Sequence, residues 1–218
     1  MNISYAITVK DEVDEIQSLL SKLGRYLSEV NYEYEIVILQ DGANAECMYL
    51  ITSLAKLPGS KYKHFTRNFD GDFAAHKNFL NSQCTGDFIF QIDADEYPSS
   101  ILIDQTANLI EQNPLVDLFW LPRVNTVEGL TPEHTVKWGW RVQELEGVEG
   151  QVVNWPDYQG RLYRNDSSIQ WVGKVHEHIA GAVRKLTYMP QETIWALFHH
   201  KTVERQEKQN ALYATIQR

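Results

Sequence analysis

From residue 3 to residue 121 the chain alternates short apolar runs with stretches of helical spacing, and that alternation leaves few folds open. Ile3–Val9, Tyr34–Leu39, Tyr62–Phe65, Phe88–Ile92 and Val116–Leu121 are each the length of one sheet crossing and too short for a buried helix. Runs this continuously apolar suit strands covered on both faces. Between the first two, Val13, Ile16, Leu20, Leu23 and Leu27 recur three or four residues apart, the spacing of one helix face. Further helices are predicted over 45–56, 73–84 and 99–112, stopped by Pro58-Gly59, Thr85-Gly86 and Pro114. Strand–helix alternation of this kind predicts the α/β class, with a mostly parallel central sheet flanked by helices.

After Pro122 the texture changes. Helical periodicity fades, and Trp138, Trp140, Trp155, Trp171 and Trp195 all lie in this part. Strands are predicted over Gly160–Arg164, Ala182–Thr187 and Thr193–Phe198, and a polar helix from Thr202 to the end. Val124–Asn154 reads as a long mobile loop. The expected organisation is two halves, 1–121 and 122–218, packed as one unit.

The richest chemistry sits where the Phe88 run meets Asp93-Ala94-Asp95-Glu96. In open α/β sheets ligands bind beyond the carboxyl ends of the strands. Carboxylates crowded there repel one another and lose hydration, so a hard divalent cation such as Mg²⁺ or Mn²⁺ is the natural compensation. Such a centre suits a diphosphate. The formal charge of −9, from 20 Lys and Arg against 29 Asp and Glu, argues against a nucleic-acid binder. Cys47 and Cys84 lack metal-ligand spacing and read as buried, reduced thiols. No apolar stretch approaches the roughly 20 residues of a membrane span, and no signal peptide is visible, so a cytoplasmic location is expected.

Five ordered landmarks carry a resemblance: Thr8-Val9-Lys10-Asp11-Glu12, Leu39-Gln40-Asp41-Gly42, Ala75-His76-Lys77-Asn78, Asp93-Ala94-Asp95-Glu96 and Trp171-Val172-Gly173-Lys174-Val175-His176-Glu177. Phe198-His199-His200-Lys201 is a sixth, looser one. Together they resemble the family-two glycosyltransferases of the GT-A fold, over nearly the full length. The resemblance implies a Rossmann-like sheet, with 1–121 binding a nucleotide-sugar and 122–218 binding the acceptor and carrying the base.

Residue by residue, it implies that Asp95, with Asp93 beside it, binds a divalent cation bridging the donor phosphates, with Asp93 also near the ribose and sugar and Ala94 between them. Asp41 matches the uracil reader, and Thr8 and Glu12 line the same pocket. Glu12 reads equally well as a first-turn acid favoured by the helix dipole. Arg67 and Lys77 are the basic groups near the diphosphate. Lys77 stands where many relatives carry Arg, which keeps the charge and loses the bidentate fork. His199 or His200 completes the metal site, His199 being preferred; imidazole favours Mn²⁺ over Mg²⁺. Lys201 and Arg205 add positive charge over the phosphates.

Glu177 matches the general base of an inverting transfer, with Glu96 as competitor or as support for the metal loop. Trp138, Trp140, Trp155 and Trp171 are candidates for a sugar platform and, equally, for core. The implied activity is metal-dependent transfer of a sugar from a UDP-sugar, such as UDP-glucose, to a hydroxyl of a glycan, a lipid-linked sugar or a small molecule. Two alternatives stay open: a non-catalytic nucleotide- or sugar-binding protein on the same fold, and a sugar nucleotidyltransferase. The absence of a glycine-rich loop at Lys10-Asp11-Glu12 argues against the latter.

Overall fold

Residues 2–93 wind as alternating strand and helix: β1 (Asn2–Val9), α1 (Val13–Leu27), β2 (Glu33–Gln40), α2 (Ala45–Ala55), β3 (Tyr62–Thr66), α3 (Phe73–Asn81) and β4 (Phe88–Asp93). The computed structural model describes residues 1–42, 44–181 and 183–216. Each helix starts where the sequence supplies a cap or acids. Asn44 accepts from the backbone of Glu46 and Cys47, Asp72 accepts from Ala75, and Asp14 and Glu15 occupy the first turn of α1. Ile16, Leu19, Leu20, Leu23 and Leu27 bury one face of α1 against the sheet. Gly86 packs so closely on β1 that a Cβ there would lie 2.6 Å from the Ser4 nitrogen.

The chain continues with β5 (Glu96–Pro98), α4 (Ser100–Gln112), β6 (Leu118–Leu121), β7 (Arg123–Glu128), α5 (Pro132–Trp138), β8 (Val142–Gln143) and β9 (Val152–Val153). Then come β10 (Gln159–Arg164), β11 (Ile169–Val172), β12 (His178–Gly181), β13 (Leu186–Tyr188), β14 (Leu197–Thr202) and α6 (Val203–Ile216). The central sheet has the order β13-β6-β10-β4-β1-β2-β3. Only β10 runs antiparallel to its neighbours in that sheet. Two strands from beyond residue 122 thus complete a sheet begun by the first half. A second sheet, β5-β14-β7-β9-β8, and the β11-β12 ribbon flank it.

The second half departs from expectation in three places. Val124–Asn154 is not one loop: it holds most of β7, all of α5, and the β8-β9 pair. The expected strand over Thr193–Phe198 is a 3₁₀ turn at Thr193–Trp195 followed by β14, so the His199-His200 pair lies within a strand rather than at its end. The strand expected from Ala182 is Leu186–Tyr188; Ala182 itself lies outside the described residues, as do the last two residues of the expected C-terminal helix. These strands are short and half-paired with distant partners, so their local apolar signal is weak.

Register decides what meets at the sheet's carboxyl edge. β1, β2 and β4 are parallel, so the turns after Val9, Gln40 and Asp93 open on one side, and Thr8 pairs with Asp93. β5, leaving the acidic turn, pairs with β14 so that His199 stands opposite Glu96; on the other side of β14, His199 stands opposite Asn125. The acidic turn is thereby clamped between the two sheets.

Candidate functional site

A cavity of about 430 Å³ opens at that edge. Thr8, Glu12, Asp41, Lys77, Asp93, Ala94, Asp95, Glu177 and Lys201 all line it. They come from both halves of the chain, over 190 residues of sequence, and the parallel strand ends bring them together. Arg67 does not line it. Its guanidinium pairs with Asp70 at 2.9 Å and lies over the Phe79 ring, which turns it away. His199 lies just behind the wall, with Nε2 3.2 Å from Asp95 Oδ2.

Asp93 is half-buried under compensation from two cations. Lys77 Nζ lies 3.2 Å from Oδ1, Arg161 donates to Oδ2 at 2.7 Å, and the Thr8 hydroxyl donates to Oδ1 at 3.1 Å. Burial works against its charge, but Arg161 and Lys77 outweigh it and hold the carboxyl well below the usual range. Arg161 also donates to Glu96 at 2.7 Å, and Arg123 reaches the same Glu96 oxygen at 2.8 Å. Glu96 is therefore a locked, buried carboxylate and is absent from the cavity lining. Sequence reasoning passed over Arg161, which β10 carries between Gly160 and Leu162 with no local motif to mark it and with its partner Asp93 68 residues away.

Asp95 faces the opposite side. Burial raises its pKa, but His199 and Arg205 pull it down to about 2. Arg205, from α6, spans Asp95 at 3.4 Å and Glu12 at 3.3 Å, and also contacts Glu15. Glu12 turns back to accept from the Lys10 and Asp11 amides at 2.7 and 3.2 Å, so it braces the β1–α1 turn. Among the described residues no three His, Cys, Asp or Glu side chains converge as a ready metal cluster. Of the three expected metal ligands, Asp95 and His199 face each other at 3.2 Å, whereas both oxygens of Asp93 are taken up by Lys77 and Arg161.

His199 is fixed from behind by a chain of hydrogen bonds. Its Nδ1 lies 2.8 Å from Asn125 Oδ1, while Asn125 gives its amide N–H to Asp157 at 2.8 Å. Asp157 in turn accepts from Arg123 at 2.7 Å. The Asn125 carbonyl therefore faces the ring, Nδ1 carries the proton, and the Nε2 lone pair points at the Asp95 carboxylate. A lone pair and a carboxylate 3.2 Å apart repel unless a proton or a cation lies between them.

Glu177 sits across the cavity on the loop between β11 and β12. Its Oε1 pairs with Lys77 Nζ at 2.8 Å, and Lys77 rests 4.5 Å from the centre of the Trp171 ring. Gly173 and His176 adopt positive φ, 97° and 54°, which turns this loop inward; at His176 the left-handed backbone is strained. Trp171 is core, with its indole N–H donating to Tyr163. Lys201 is pushed down to about 8 by burial and by Arg123 nearby. His200 points away from the cavity, 2.9 Å from the Thr126 hydroxyl.

The third corner is aromatic. Phe69, Phe73, His76 and Tyr213 line the cavity beside Asp41. Asp41 accepts from the Phe69 amide at 2.8 Å and lies 3.6 Å from Lys10. That leaves carboxylate lone pairs free over a flat, apolar slot. Burial lowers the His76 pKa, so its ring stays neutral there.

The glycosyl transferase family 2 profile matches residues 4–168. An undecaprenyl-phosphate 4-deoxy-4-formamido-L-arabinose transferase of Pseudomonas fluorescens is 30% identical over 95 residues, 43% of this chain and 27% of that protein. The Klebsiella pneumoniae protein of the same name is likewise 30% identical over 95 residues, 43% of this chain and 28% of its own length. The chain thus spans about a quarter of these curated relatives. In fold, it resembles TarS of S. aureus, with a TM-score of 0.60 over 99% of this chain and 39% of that one, at 14% identity. TarS residues 1–349 in complex with UDP-GlcNAc give 0.56 over 92% of this chain and 59% of that one, also at 14% identity. The chain has the GT-A architecture and belongs to glycosyl transferase family 2.

Proposed function

We propose that this chain is a metal-dependent, inverting glycosyltransferase that moves a sugar from a nucleotide diphosphate sugar to an acceptor hydroxyl. One observation carries the reading: a single cavity gathers the acidic turn, Lys77, the Asp41 slot and Glu177. TarS, of the same fold, was solved with UDP-GlcNAc, which makes uridine nucleotides the first donors to test, UDP-glucose among them. In this reading residues 1–121 supply most of the donor site and 122–218 supply the base and the acceptor side. Acceptors to consider are a glycan, a lipid-linked sugar or a small molecule; among the described residues no helix is long and apolar enough to cross a membrane.

Asp41 accepts the imide N–H of uracil, with Phe69, Phe73 and His76 against the ring. Lys77 and Lys201 face the diphosphate. Asp95 and His199 are the residues that would hold Mn²⁺ or Mg²⁺, and the imidazole favours Mn²⁺. A cation held there would supply stabilisation of the negative charge that grows on the leaving diphosphate. Glu177 takes the proton from the acceptor hydroxyl as its oxygen bonds to the anomeric carbon and the carbon–phosphate-oxygen bond breaks. The ion pair with Lys77 fixes where that carboxylate points. No carboxylate nucleophile is needed in a single displacement. Glu96 does not compete for the base role, because Arg123 and Arg161 occupy it.

The test is direct. The protein is incubated with a panel of nucleotide-sugars and Mn²⁺, and nucleotide release is recorded. Asp95→Ala is expected to abolish metal-dependent UDP binding in calorimetry; unchanged affinity counts against the metal site. Glu177→Gln is expected to keep UDP binding and lose transfer. A protein that retains UDP-sugars without ever releasing UDP is a binding protein, and the proposal then fails.

A further inference from the structure

Four of the six tryptophans are accounted for by packing. Trp171 is buried, and Trp120, Trp155 and Trp195 pack against the three core clusters of the described residues. Trp138 and Trp140 belong to none of these clusters. They pack on each other, ring centres 4.7 Å apart, and His134 stacks on Trp138 at 5.0 Å. Partly exposed rings of this size are costly to leave in water without a partner.

The cluster is also fixed in place. Gly139, in the left-handed region at φ 65°, ends α5 and folds Trp140 back, so that its N–H donates to the Thr135 carbonyl at 2.9 Å. The next residue, Arg141, exchanges two hydrogen bonds with Asn154, at 3.1 and 2.8 Å. Two ammonium groups lie over the cluster's rings, and one of them, Lys137, also pairs with Glu207 at 3.1 Å. Lys137 lies 5.7 Å from the Trp138 ring centre and Lys201 5.9 Å from that of Trp140. Lys201 lines the main cavity together with Asp95 and Glu177, so the cluster adjoins the proposed transfer site.

We infer that Trp138 and Trp140 form the platform on which a pyranose ring of the acceptor stacks; this rests on the glycosyl-transfer reading above. A pyranose presents an apolar C–H face to an aromatic ring and a rim of hydroxyls to surrounding charges. The cluster offers both, a pair of rings and two ammonium groups. A purely apolar partner would strip water from Lys137 and Lys201 without replacing it. The acceptor is therefore a carbohydrate, or a molecule carrying a sugar ring at the end that enters the site.

Protein saturated with UDP and Mn²⁺ is titrated with methyl pyranosides of glucose, galactose, mannose and N-acetylglucosamine and with lactose and maltose, read by saturation-transfer NMR and calorimetry. At least one is expected to bind. Trp138→Ala and Trp140→Ala should each weaken it at least tenfold, Trp140→Tyr less than threefold, and UDP affinity should change less than twofold. Equal sugar binding by the alanine variants overturns the assignment. So does a parent that binds UDP and none of the sugars, the result expected if a lipid phosphate alone is the acceptor. Sugar binding through these tryptophans without UDP binding leaves the platform standing and overturns the donor reading instead.

Discussion

Asn125 touches no proposed substrate, yet replacing it is expected to cost the metal. In the parent its carbonyl takes the His199 Nδ1 proton at 2.8 Å, and both residues are buried. Asn125→Leu removes that acceptor and strands the N–H, at a cost of about 1–3 kcal/mol of stability. Asp157 keeps Arg123 and Gln159 as donors, so the loss is confined to the imidazole. With nothing to hold the proton on Nδ1, the ring reorients or changes tautomer, and the Nε2 lone pair no longer faces Asp95. Loss of such an orienting partner typically weakens metal binding by about 10–100-fold. Free Mn²⁺ measured by electron paramagnetic resonance during a titration, with and without UDP, reads this directly. His199→Ala should lose at least as much, and adding Asn125→Leu to it should cost little more, because both act through one ligand. If Asn125→Leu melts earlier but holds Mn²⁺ as tightly as the parent, His199 is not an oriented ligand and the reasoning fails.

Other outcomes follow from buried groups away from that pair. Gln91 is fully buried on β4 and neither amide atom has a partner among the described residues, so Gln91→Met should remove a penalty of about 1–3 kcal/mol; a melting temperature equal to or below the parent's in calorimetry would refute this. Asp117 is buried under hydrogen bonds from Arg184 and Arg164, which hold its carboxyl well below the usual range. A depressed carboxylate stabilises the fold above its unfolded pKa of about 3.9, and that contribution is lost as pH falls further. Asp117→Asn should therefore be about 2–3 kcal/mol less stable at pH 7, with the gap narrowing below about pH 4. Urea titrations at pH 7 and pH 3 test it, and a gap independent of pH would rule out the charge as its cause.

The half of the molecule that reads plainly in sequence is the half whose elements are stabilised by their neighbours in the chain. β1, β2 and β4 announce themselves because they are buried on both faces, and α1 because one stripe of five residues is buried. Their parallel order places Thr8, Asp41, Asp93 and Asp95 at one edge with no further information. What sequence hides are strands whose pairing partners are remote. β7 looks like loop until β14 and β9 sandwich it, and β14 is displaced from its apolar run because it must span from Pro98 to Glu128 in register. Arg161 and Asn125 were illegible for the same reason: each matters through a partner 68 or 74 residues away.

The charges of the cavity carry the argument one step further. Four of the acids there already have a cation from the protein: Asp93 has Lys77 and Arg161, Asp95 has Arg205, Glu177 has Lys77, and Asp41 has Lys10. These pairs let four carboxylates share a partly dry cavity without mutual repulsion. In the proposed reading a diphosphate brings new negative charge into this set, and Lys77 and Arg205 are the cations it must share. Asp95 would be compensated by the cation it and His199 would hold, and Arg205 would then be free to meet a phosphate oxygen. Lys77, drawn toward the diphosphate, would loosen its hold on Glu177 and leave that carboxylate to accept a proton. On that reading, occupancy of the donor site and readiness of the base would be linked through one lysine. Lys77→Met should accordingly weaken UDP binding and also depress transfer measured at saturating donor. A Lys77→Met variant whose transfer rate recovers fully at high UDP-sugar would separate the two roles and sink the linkage.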